Sequence, residues 1–561
     1  MSSPARIENL PKQLEQKWVR ILGVDYLHLV LDDGSDLYLT EHGLPFAANL
    51  LPENYWTDKD WFHAHSVKLP GSSTLYKIET KPVGGVSKPI VLKWSRMGQD
   101  IPGETEVSDL AGARFNSPFE EFGLVRELRS RTNYGARSVY THKPLAIYVP
   151  RQIVEPERMG RKSYWMKAVQ KKHREVALDP KRRYAVIYEW VKGIDAVAAW
   201  KAGLMEEKNA RRLVKRSNRE MAEKGFRVRD SKPHHLIVRP ADNNLARDRD
   251  GRLLYALVDF ELLERTPEHE EKVRALRRRT YLERQAHRFE SHEAYQTRLS
   301  PVRLMDVDYV FGPVESTGGA LWVVGNDPEL FDYFLPERWR ESPKTNLSSS
   351  GNTYETTTKD DIHLVCRVSK VGSIPPTNEL NRQGIQILSH GYNSPFEEIS
   401  LNFYLSGRGI NTTYPRAIYM SGHRTEDENQ PKDQRRYKSH QQLLTPEGHP
   451  ILSDHHKYVL IWGYWNGPDE LLAENDQDYF RSLDAQRARE ENLISGKTFA
   501  AILRKTDKKL RKTGVKDLDL KGSHLLLSID RNDEFLRDDD GLPTVRICNF
   551  ELIQRIDKPL I

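Results

Sequence analysis

The stretch Val228-Arg229-Asp230-Ser231-Lys232-Pro233-His234-His235-Leu236-Ile237-Val238 places a carboxylate and a lysine two positions apart, shortly before an apolar strand. A second apolar run further along the chain ends in Asp259-Phe260-Glu261. In this order Asp230 can orient a hydroxyl group, Lys232 can contact a phosphoryl oxygen, and Asp259 can hold Mg²⁺. The alternative for the first stretch is an ordinary turn, because its polar residues are all common in loops.

Arg229-Asp230-Ser231-Lys232-Pro233 resembles the catalytic loop of the protein-kinase-like superfamily, and Asp259-Phe260-Glu261 resembles its metal-binding triplet. The resemblance implies a site for ATP and Mg²⁺, with Asp230 and Lys232 as catalytic residues and Asp259 as the metal ligand. His235 stands where the superfamily has an asparagine that binds a second Mg²⁺, and imidazole is a poor ligand for this hard ion. His235 can orient the aspartate or a phosphate, mark a site with one metal, or donate structurally to the backbone.

The resemblance also implies the residues that would hold the nucleotide. Lys93 ends an apolar strand, where the superfamily has a lysine that contacts phosphates and pairs with a glutamate on the next helix. Glu120 and Glu121 both qualify as that partner, and the alternative for them is ordinary salt bridging at a helix start. The candidates in the phosphate-contacting loop are Gly71 and Ser72, although this loop lacks the superfamily's glycine pattern.

The hinge that would contact adenine is the segment around Trp190. The resemblance assigns the contacts to backbone groups from Glu189 to Val191. The alternative for the aromatic side chains in this segment is core packing.

A tandem repeat organises the whole chain. The run Phe115-Asn116-Ser117-Pro118-Phe119-Glu120-Glu121 returns as Tyr392-Asn393-Ser394-Pro395-Phe396-Glu397-Glu398. Other matches follow in the same order, among them Val24-Asp25-Tyr26 with Val307-Asp308-Tyr309 and Asp230-Ser231-Lys232 with Asp519-Leu520-Lys521. We interpret the chain as two copies of one domain, at about residues 20–295 and 303–561.

The second copy lacks two central charges of the first. Arg367 stands at the position of Lys93, and Asn549 at that of Asp259, whereas His524 repeats His235. An arginine fork needs a different geometry from a compact ammonium group, and a neutral amide lacks the charge that makes a carboxylate a metal ligand. We therefore predict that copy two is inactive.

The fold class that follows is α+β, with two tandem kinase-like domains. Each is predicted to have a small antiparallel-sheet lobe and a reduced helical lobe, after a short mixed extension. The predicted segments are a lead at 1–20, copy one at 21–265 with its extension at about 21–60, a charged helical linker at 266–302, and copy two at 303–561 with its extension at about 303–342.

Periodicity and capping signals predict the main elements of copy one. The alternating run Thr74–Glu79 and the apolar runs Pro89–Trp94 and Tyr184–Tyr188 are typical of strands. A helix is predicted from Pro118, capped by Ser117, and a second one from Asn209 to Lys224, ended by Gly225. The linker carries charges of both signs, which is typical of a solvated helix.

Composition limits the class of protein. The net charge of +6 is the difference between 86 basic and 80 acidic residues, which argues against nucleic-acid binding without a clustered patch. Cys366 and Cys548, the two cysteines, lie in apolar runs and are expected to be small buried residues of a reducing compartment. No signal peptide or membrane-spanning run is evident, so we expect a cytoplasmic protein.

The leading interpretation is an ATP- and Mg²⁺-dependent phosphotransferase that acts through copy one on a small molecule or an atypical acceptor. A non-catalytic tandem pseudokinase scaffold, or regulatory interaction protein, is the alternative. An RNA-binding surface is a third hypothesis, and it predicts a steep loss of affinity with salt. The expected partners are a nucleotide and an acceptor or protein partner, and the two copies could pack as an internal pseudo-dimer.

Overall fold

The computed structural model describes the chain at residues 15–70, 74–101, 113–130, 139–173, 176, 178–241, 244–290, 298–314, 316–348, 351–422, 433–464, 481–530 and 532–556. The chain divides into two compact units, Met1–Lys272 and Val273–Ile561. The division falls inside the predicted linker. Both units mix strands and helices, which confirms the predicted α+β class.

Unit one is built on an antiparallel sheet of eight strands with the order β1-β2-β3-β7-β8-β6-β5-β4. The predicted strands are confirmed as β5, β6 and β8. The predicted extension supplies β2 and β3 of the same sheet, and β1 lies in the segment that was predicted as a lead. The bounds are β1 Glu15–Ile21, β2 Val24–Val30, β3 Asp36–Leu39, β4 Ser66–Lys68, β5 Leu75–Glu79, β6 Pro89–Trp94, β7 Pro144–Val149 and β8 Ala185–Glu189.

The helices of unit one cover this sheet and form the second lobe. They are α1 Lys59–His65, α2 Pro118–Arg129, α3 Ser163–Lys172, α4 Ala196–Lys201 and α5 Glu207–Glu223, with short 3-10 helices at Leu44–Phe46, Pro52–Asn54, Pro156–Met159 and Pro233–His235. Helix α6 Pro267–Ala286 begins in unit one and continues into unit two. The predicted cap of α2 is confirmed, because the Ser117 hydroxyl accepts from the Glu120 N–H. Helix α5 begins two residues before its predicted start and ends one residue before its predicted end.

The two faces of the sheet have separate cores because successive side chains of a strand point to opposite faces. Leu92 and Ile187 pack with Leu50, Tyr55 and Phe62 from the segment that follows β3. Val91 and Val186 pack on the other face, against Phe119 and Phe122 of α2. Lys93 shares the parity of Val91, so its side chain lies on the face that α2 covers.

Short strands in the second lobe bring two connections together. They are β9 Ile194–Asp195, β10 Phe226–Val228, β11 Leu236–Val238, β12 Pro240–Ala241, β13 Asn244–Leu245, β14 Tyr255–Leu257 and β15 Leu263–Arg265. Strand β10 pairs with β15, and β11 pairs with β14. The connection that carries Asp230 therefore runs beside the connection that carries Asp259, because their flanking strands are paired at both ends.

Unit two has an eight-stranded antiparallel sheet with the neighbour order β16-β17-β18-β22-β23-β21-β20-β19, which corresponds strand for strand to that of unit one. The strands of this sheet are β16 Ser300–Leu304, β17 Val307–Val314, β18 Gly319–Val324, β19 Lys344–Asn346, β20 Thr353–Thr357, β21 His363–Val368, β22 Pro415–Met420 and β23 Tyr458–Gly463. Two smaller sheets contain β24 Arg481–Asp484, β25 Val515–Asp517, β26 Leu525–Ile529, β27 Val545–Ile547 and β28 Ile553–Arg555.

The helices of unit two are α7 Pro336–Trp339, α8 Arg382–His390, α9 Pro395–Ser406, α10 Arg435–Ser439, α11 Ala485–Glu490 and α12 Gly496–Lys512, with 3-10 helices at Pro328–Phe334 and Gly522–His524. Of these, α9, α11 and α12 correspond to α2, α4 and α5 of unit one. Helix α9 has the predicted capping pattern, since Ser394 accepts from the Glu397 N–H and Glu397 accepts from the Ser394 N–H. None of the described helices is both long and apolar enough to cross a membrane.

Helix α6 differs from the solvated linker that its charges predict. Tyr281 is fully buried and packs against Tyr333 and Phe334 of unit two, with ring centroids 5.4 and 5.9 Å away. Arg277 forms a 2.8 Å ion pair with the buried Asp360. The second half of the helix is thus part of the unit-two core, because one aromatic side chain and a buried ion pair outweigh a mostly charged surface.

The two cysteines are free thiols, as expected. Cys366 is fully buried in β21, whereas Cys548 is only partly buried after β27. The expectation of a small buried residue therefore holds fully for Cys366 alone.

Candidate functional site

Lys93 is the centre of a buried charge cluster in unit one. Its side chain is only 6% exposed, and its Nζ lies 2.5 Å from Asp259 Oδ1 and 3.1 Å from Glu261 Oε2. Burial alone would lower the pKa of Lys93, but the negative charges of Asp259, Glu261 and Glu121 raise it overall. Lys93 therefore stays charged and binds two carboxylates from the predicted metal triplet.

Asp259 holds the negative charge of this cluster. Burial raises its pKa, but the positive charge of Lys93 and the neighbouring His235 lower it well below its ordinary value. Burial raises the pKa of Glu261, and the nearby Asp259 charge adds to this effect while Lys93 opposes it. One ammonium group thus favours ionisation of the closer carboxylate over that of the more distant one.

The backbone of Asp259 is also unusual. Its φ of +72° lies in the left-handed region, which non-glycine residues adopt at a cost and most often at functional positions. The turn aims the second carboxylate oxygen at His235, whose Nε2 is 3.4 Å from Asp259 Oδ2. Buried His235 Nδ1 has no hydrogen-bond partner within the described residues.

Backbone hydrogen bonds hold the Asp230 connection beside the Asp259 connection. The N–H of Val258 donates to the carbonyl of His235 at 2.9 Å, and that of Arg229 donates to the carbonyl of Leu262 at 3.2 Å. Between these two bonds, Lys232 Nζ lies 2.8 Å from Asp230 Oδ1. Asp230 and Lys232 are 32% and 57% exposed, so they face solvent next to a buried cluster.

The two glutamates of α2 have different surroundings. Buried Glu120 pairs with Lys172 and with His173, whose Nε2 is 3.1 Å away. Burial raises the pKa of Glu120, but the His173 and Lys172 contacts outweigh it and lower the pKa to about 2. Glu121 accepts a 2.6 Å hydrogen bond from the Tyr188 hydroxyl instead.

Neither glutamate makes the ion pair with Lys93 that the resemblance implied, within the described part of the chain. Glu121 still acts on Lys93 through its charge. The physical reason is competition, because the Lys93 ammonium group already lies within ion-pair distance of both carboxylates of the triplet. The side chain that completes the pairing is Glu261, which sequence reasoning quoted in the triplet but did not assign to the site.

Burial raises the pKa of Glu121 to about 7, although Lys93 and Tyr188 oppose the shift. A raised carboxyl pKa means that folding keeps a proton that the unfolded chain releases, so the stability of unit one is expected to fall as pH rises from about 4.5 to about 7. Glu121→Gln should remove this slope and gain on the order of 3 kcal/mol over wild type across that range. Denaturant titrations at several pH values measure it, and parallel profiles would contradict it.

An asparagine before α2 fastens the metal triplet to that helix. Buried Asn116 donates from Nδ2 to the carbonyls of Phe260 and Leu263 at 3.2 and 2.8 Å, and its N–H donates to the Glu261 carbonyl at 2.8 Å. Asn393 repeats all three bonds in unit two. The sequence contained a signal for this role, because the asparagine is identical in both copies of the repeated seven-residue run.

Replacing Asn116 by Ala is expected to destabilise unit one by about 2–4 kcal/mol, because two buried carbonyls would lose their donors. The matched variant Asn393→Ala should destabilise unit two by a similar amount. Scanning calorimetry of the full chain measures both, since each variant should lower a different unfolding transition. The same transition lowered by both variants would contradict this assignment.

Other sequence-predicted residues lie elsewhere or outside the described residues. Gly71 and Ser72 are among the latter. The side chain of Glu189 pairs with Lys88 at 2.6 Å, and its N–H donates to the carbonyl of Lys143 at 2.9 Å. The Glu189 N–H is therefore already bonded within the protein, and Val191, two residues further along the chain, is half-buried.

A stacked pair of rings, which the sequence did not predict, lies near the Lys93 cluster. The ring of buried His142 stacks on Tyr188, with centroids 3.6 Å apart. Burial and the Lys93 charge lower the pKa of His142 to about 3, so the ring is neutral near pH 7. No spacing rule could have indicated His142, because it meets Tyr188 only through the pairing of β7 with β8.

Unit two arranges the corresponding residues differently. Arg367 contacts Glu398, the counterpart of Glu121, and lies 3.9 Å from Glu551, the counterpart of Glu261. Asn549 Nδ2 is 3.2 Å from His524 Nε2. Where Asp259 holds a negative charge in unit one, unit two has a neutral contact between an amide and an imidazole, because burial and the Lys521 charge lower the pKa of His524 to about 4.

The residues of unit one suit a Mg²⁺ ion held partly by a phosphate. Among the described residues there is no group of three or more His, Cys, Asp or Glu side chains that could hold a metal alone. Asp259 supplies one hard, ionised carboxylate on a strained turn. Mg²⁺ is commonly bound by one or two carboxylates together with substrate phosphates, so this donor set fits such an ion.

Comparison with known proteins adds little to this geometry. No protein-family model matches the chain, and no curated protein matches it. A solved structure described as WaaP in complex with acyl carrier protein is 13% identical to the chain, with a TM-score of 0.21, and the match covers 41% of this chain and 80% of that one. A TM-score of this size does not establish a shared fold.

Proposed function

We propose that unit one is a phosphotransferase of the protein-kinase-like superfamily that uses ATP and Mg²⁺, and that unit two is its non-catalytic repeat. The observation that carries the proposal is the cluster in which Asp259 contacts both Lys93 and His235, since His235 lies on the same connection as Asp230. A lysine, an ionised aspartate and a second exposed aspartate in this arrangement suit phosphoryl transfer.

Each residue of unit one has a distinct role in this proposal. Lys93 would turn from Asp259 or Glu261 to a phosphate oxygen, and Asp259 would hold the metal. A bound Mg²⁺ would neutralise phosphate charge during transfer. Asp230, which is partly exposed, would accept the proton of the acceptor hydroxyl, while Lys232 would bind the transferred phosphoryl group. The acceptor would be a small molecule or an atypical one, since the helical lobe is reduced.

The different pairing of unit two supports its non-catalytic role. Arg367 is engaged by Glu398 and lies near Glu551, so its charge is directed to the protein's own carboxylates. Asn549 supplies no negative charge for a metal. These two replacements remove the cation for phosphate and the anion for Mg²⁺ from the same place.

The proposal is tested by ADP formation from ATP and Mg²⁺ with the full chain. Asp230→Asn is expected to reduce turnover by at least about 100-fold, because it removes the proton acceptor, while ATP and Mg²⁺ still raise the melting temperature. The matched variant Asp519→Asn in unit two should leave turnover unchanged. A wild-type chain that shows neither turnover nor a melting shift contradicts the proposal.

A non-catalytic scaffold is the second candidate. It is favoured by the full pairing of Lys93, whose ammonium group already binds two carboxylates, so the cluster is stable without a nucleotide. This candidate predicts that ATP and Mg²⁺ leave the melting temperature of the wild-type chain unchanged at millimolar concentration.

A further inference from the structure

A cavity of about 410 Å³ in unit one has no role in the phosphotransfer proposed above. It is lined by α2, by β1 and β2, and by the residues after β3. Partly buried Trp18 supplies an apolar wall, and Arg126 and Arg129 supply positive charge beside the carboxylates of Asp25 and Glu41. Burial lowers the pKa of His42, which also lines the cavity, so its ring is neutral near pH 7. Its volume is within the range of small-ligand sites, which usually combine apolar walls with a few polar groups.

Each of the two arginines uses its Nη1 group in hydrogen bonds within the protein, and its other N–H groups can donate to a ligand. Arg126 donates from Nη1 to the Gly23 carbonyl at 2.7 Å, and its Nε is 3.6 Å from Glu41, which is 61% exposed. Arg129 donates from Nη1 to the carbonyl and hydroxyl of Thr141 at 2.8 and 2.9 Å. In the part of the chain that the structure describes, no carboxylate lies within ion-pair distance of Arg129, so the rest of its guanidinium fork can meet an anion.

In unit two the corresponding place is filled by the chain itself. The Asn326 N–H, at the position of His42, donates to the Arg288 carbonyl at 2.6 Å. The ring of Phe289 packs edge-on against Phe403, the counterpart of Arg126, with centroids 5.6 Å apart. A side chain added at Gly325, directly after β18, would lie 2.4 Å from the Arg288 carbonyl. The segment that contains Arg288 and Phe289 therefore packs directly against the end of β18.

The basic residues and the open cavity occur together in unit one. The counterparts of Arg126, Arg129 and His42 in unit two are Phe403, Ser406 and Asn326, which carry no charge. A groove that its own chain fills needs no cation, whereas a groove with half-buried arginines gains free energy from an anion. The contrast between the units argues that the arginines serve a ligand, because both helices otherwise start from the same seven-residue run.

We propose that this cavity binds a small ligand that carries a carboxylate or phosphate group beside a flat apolar ring. The anionic group would be bound by Arg129 and Arg126, and the ring would pack against partly buried Trp18. This site is separate from the Lys93 cluster, so the proposal does not depend on nucleotide binding there.

Calorimetric titration of the full chain with phenyl phosphate and with benzoate tests the proposal. The neutral analogue benzyl alcohol is the ligand control. We expect at least one of the two anions to bind about 10-fold or more tightly than benzyl alcohol, because charge-assisted hydrogen bonds to arginine are stronger than neutral ones. The better of the two anions identifies whether the site prefers a phosphate or a carboxylate.

Variants that introduce unit-two residues provide the second part of the test. Arg129→Ser and Arg126→Phe should each weaken binding of the preferred anion by about 10-fold or more, with an intermediate loss for Arg129→Lys, which keeps the charge but not the fork. Arg211→Ser, at an exposed ion pair of α5, should have no effect, and Asp259→Asn should also bind normally. Equal binding of the neutral analogue, or unchanged binding in folded Arg129→Ser, would overturn the proposal.

Discussion

The proposed phosphotransfer is expected to fall about 10³-fold when Asp259 is replaced by Asn, since the charge lost from the proposed metal ligand would remove several kcal/mol of transition-state stabilisation. The variant should fold normally. Asn tolerates a φ of +72° as well as Asp does, and its amide oxygen can still accept a hydrogen bond from Lys93. The loss would therefore report on the carboxylate charge and not on the turn.

The repeat provides a matched control for this variant. Asn549→Asp restores the carboxylate in unit two but leaves Arg367 engaged by Glu398, so no activity should appear when Asp259→Asn is already present. ADP formation at saturating Mg²⁺ measures both effects. Turnover of Asp259→Asn within 10-fold of wild type would show that Asp259 is not the metal ligand.

Capping signals and hydrophobic periodicity in the sequence predicted several helices and strands of unit one. Ser117 followed by Pro118 predicts the start of α2, and the structure begins the helix at that residue. The alternation of Leu75 to Glu79 predicts β5 in the same way. These signals depend on residues within one or two turns of each other, so they do not require knowledge of the fold.

The repeated seven-residue run contains an asparagine that has the same structural role in both units. Asn116 and Asn393 lie inside it, and each makes the same three hydrogen bonds to the segment that contains the predicted metal triplet. The sequence comparison pointed to the glutamates of the run, but the structure shows that the asparagine joins helix and triplet. A residue that recurs in both copies is indicated to have a structural or functional role, but the sequence does not show which contact that residue makes.

Contacts between distant segments could not be predicted. Lys93 and Asp259 are 166 residues apart, and which carboxylate reaches the lysine depends on differences of about an ångström among three competitors. Tyr188 binds Glu121 only because β8 lies beneath α2. The strands β1 to β3 were missed as members of the main sheet, since an edge strand and a separate extension have the same alternation.

Replacing Lys93 by Ala is expected to cost unit one about 3–5 kcal/mol at pH 7, because buried Glu261 and partly buried Asp259 would be left without their shared cation. Lys93→Arg should cost much less, since the cation is kept. Denaturant unfolding of the full chain measures the change, and the two units are expected to give separate transitions. Arg367→Ala, the matched variant of unit two, should shift the other transition.

The pH dependence of this cost separates electrostatics from simple packing. Lys93 lowers the pKa of Asp259, so its contribution is fully present above the ordinary carboxyl pKa of about 4 and is lost as pH falls from there towards the lowered pKa of the folded state. In Lys93→Ala both carboxyl groups can take up protons instead of remaining charged. The difference from wild type should therefore be largest near pH 7 and shrink towards pH 4, whereas a loss of packing alone would give the same difference at both pH values.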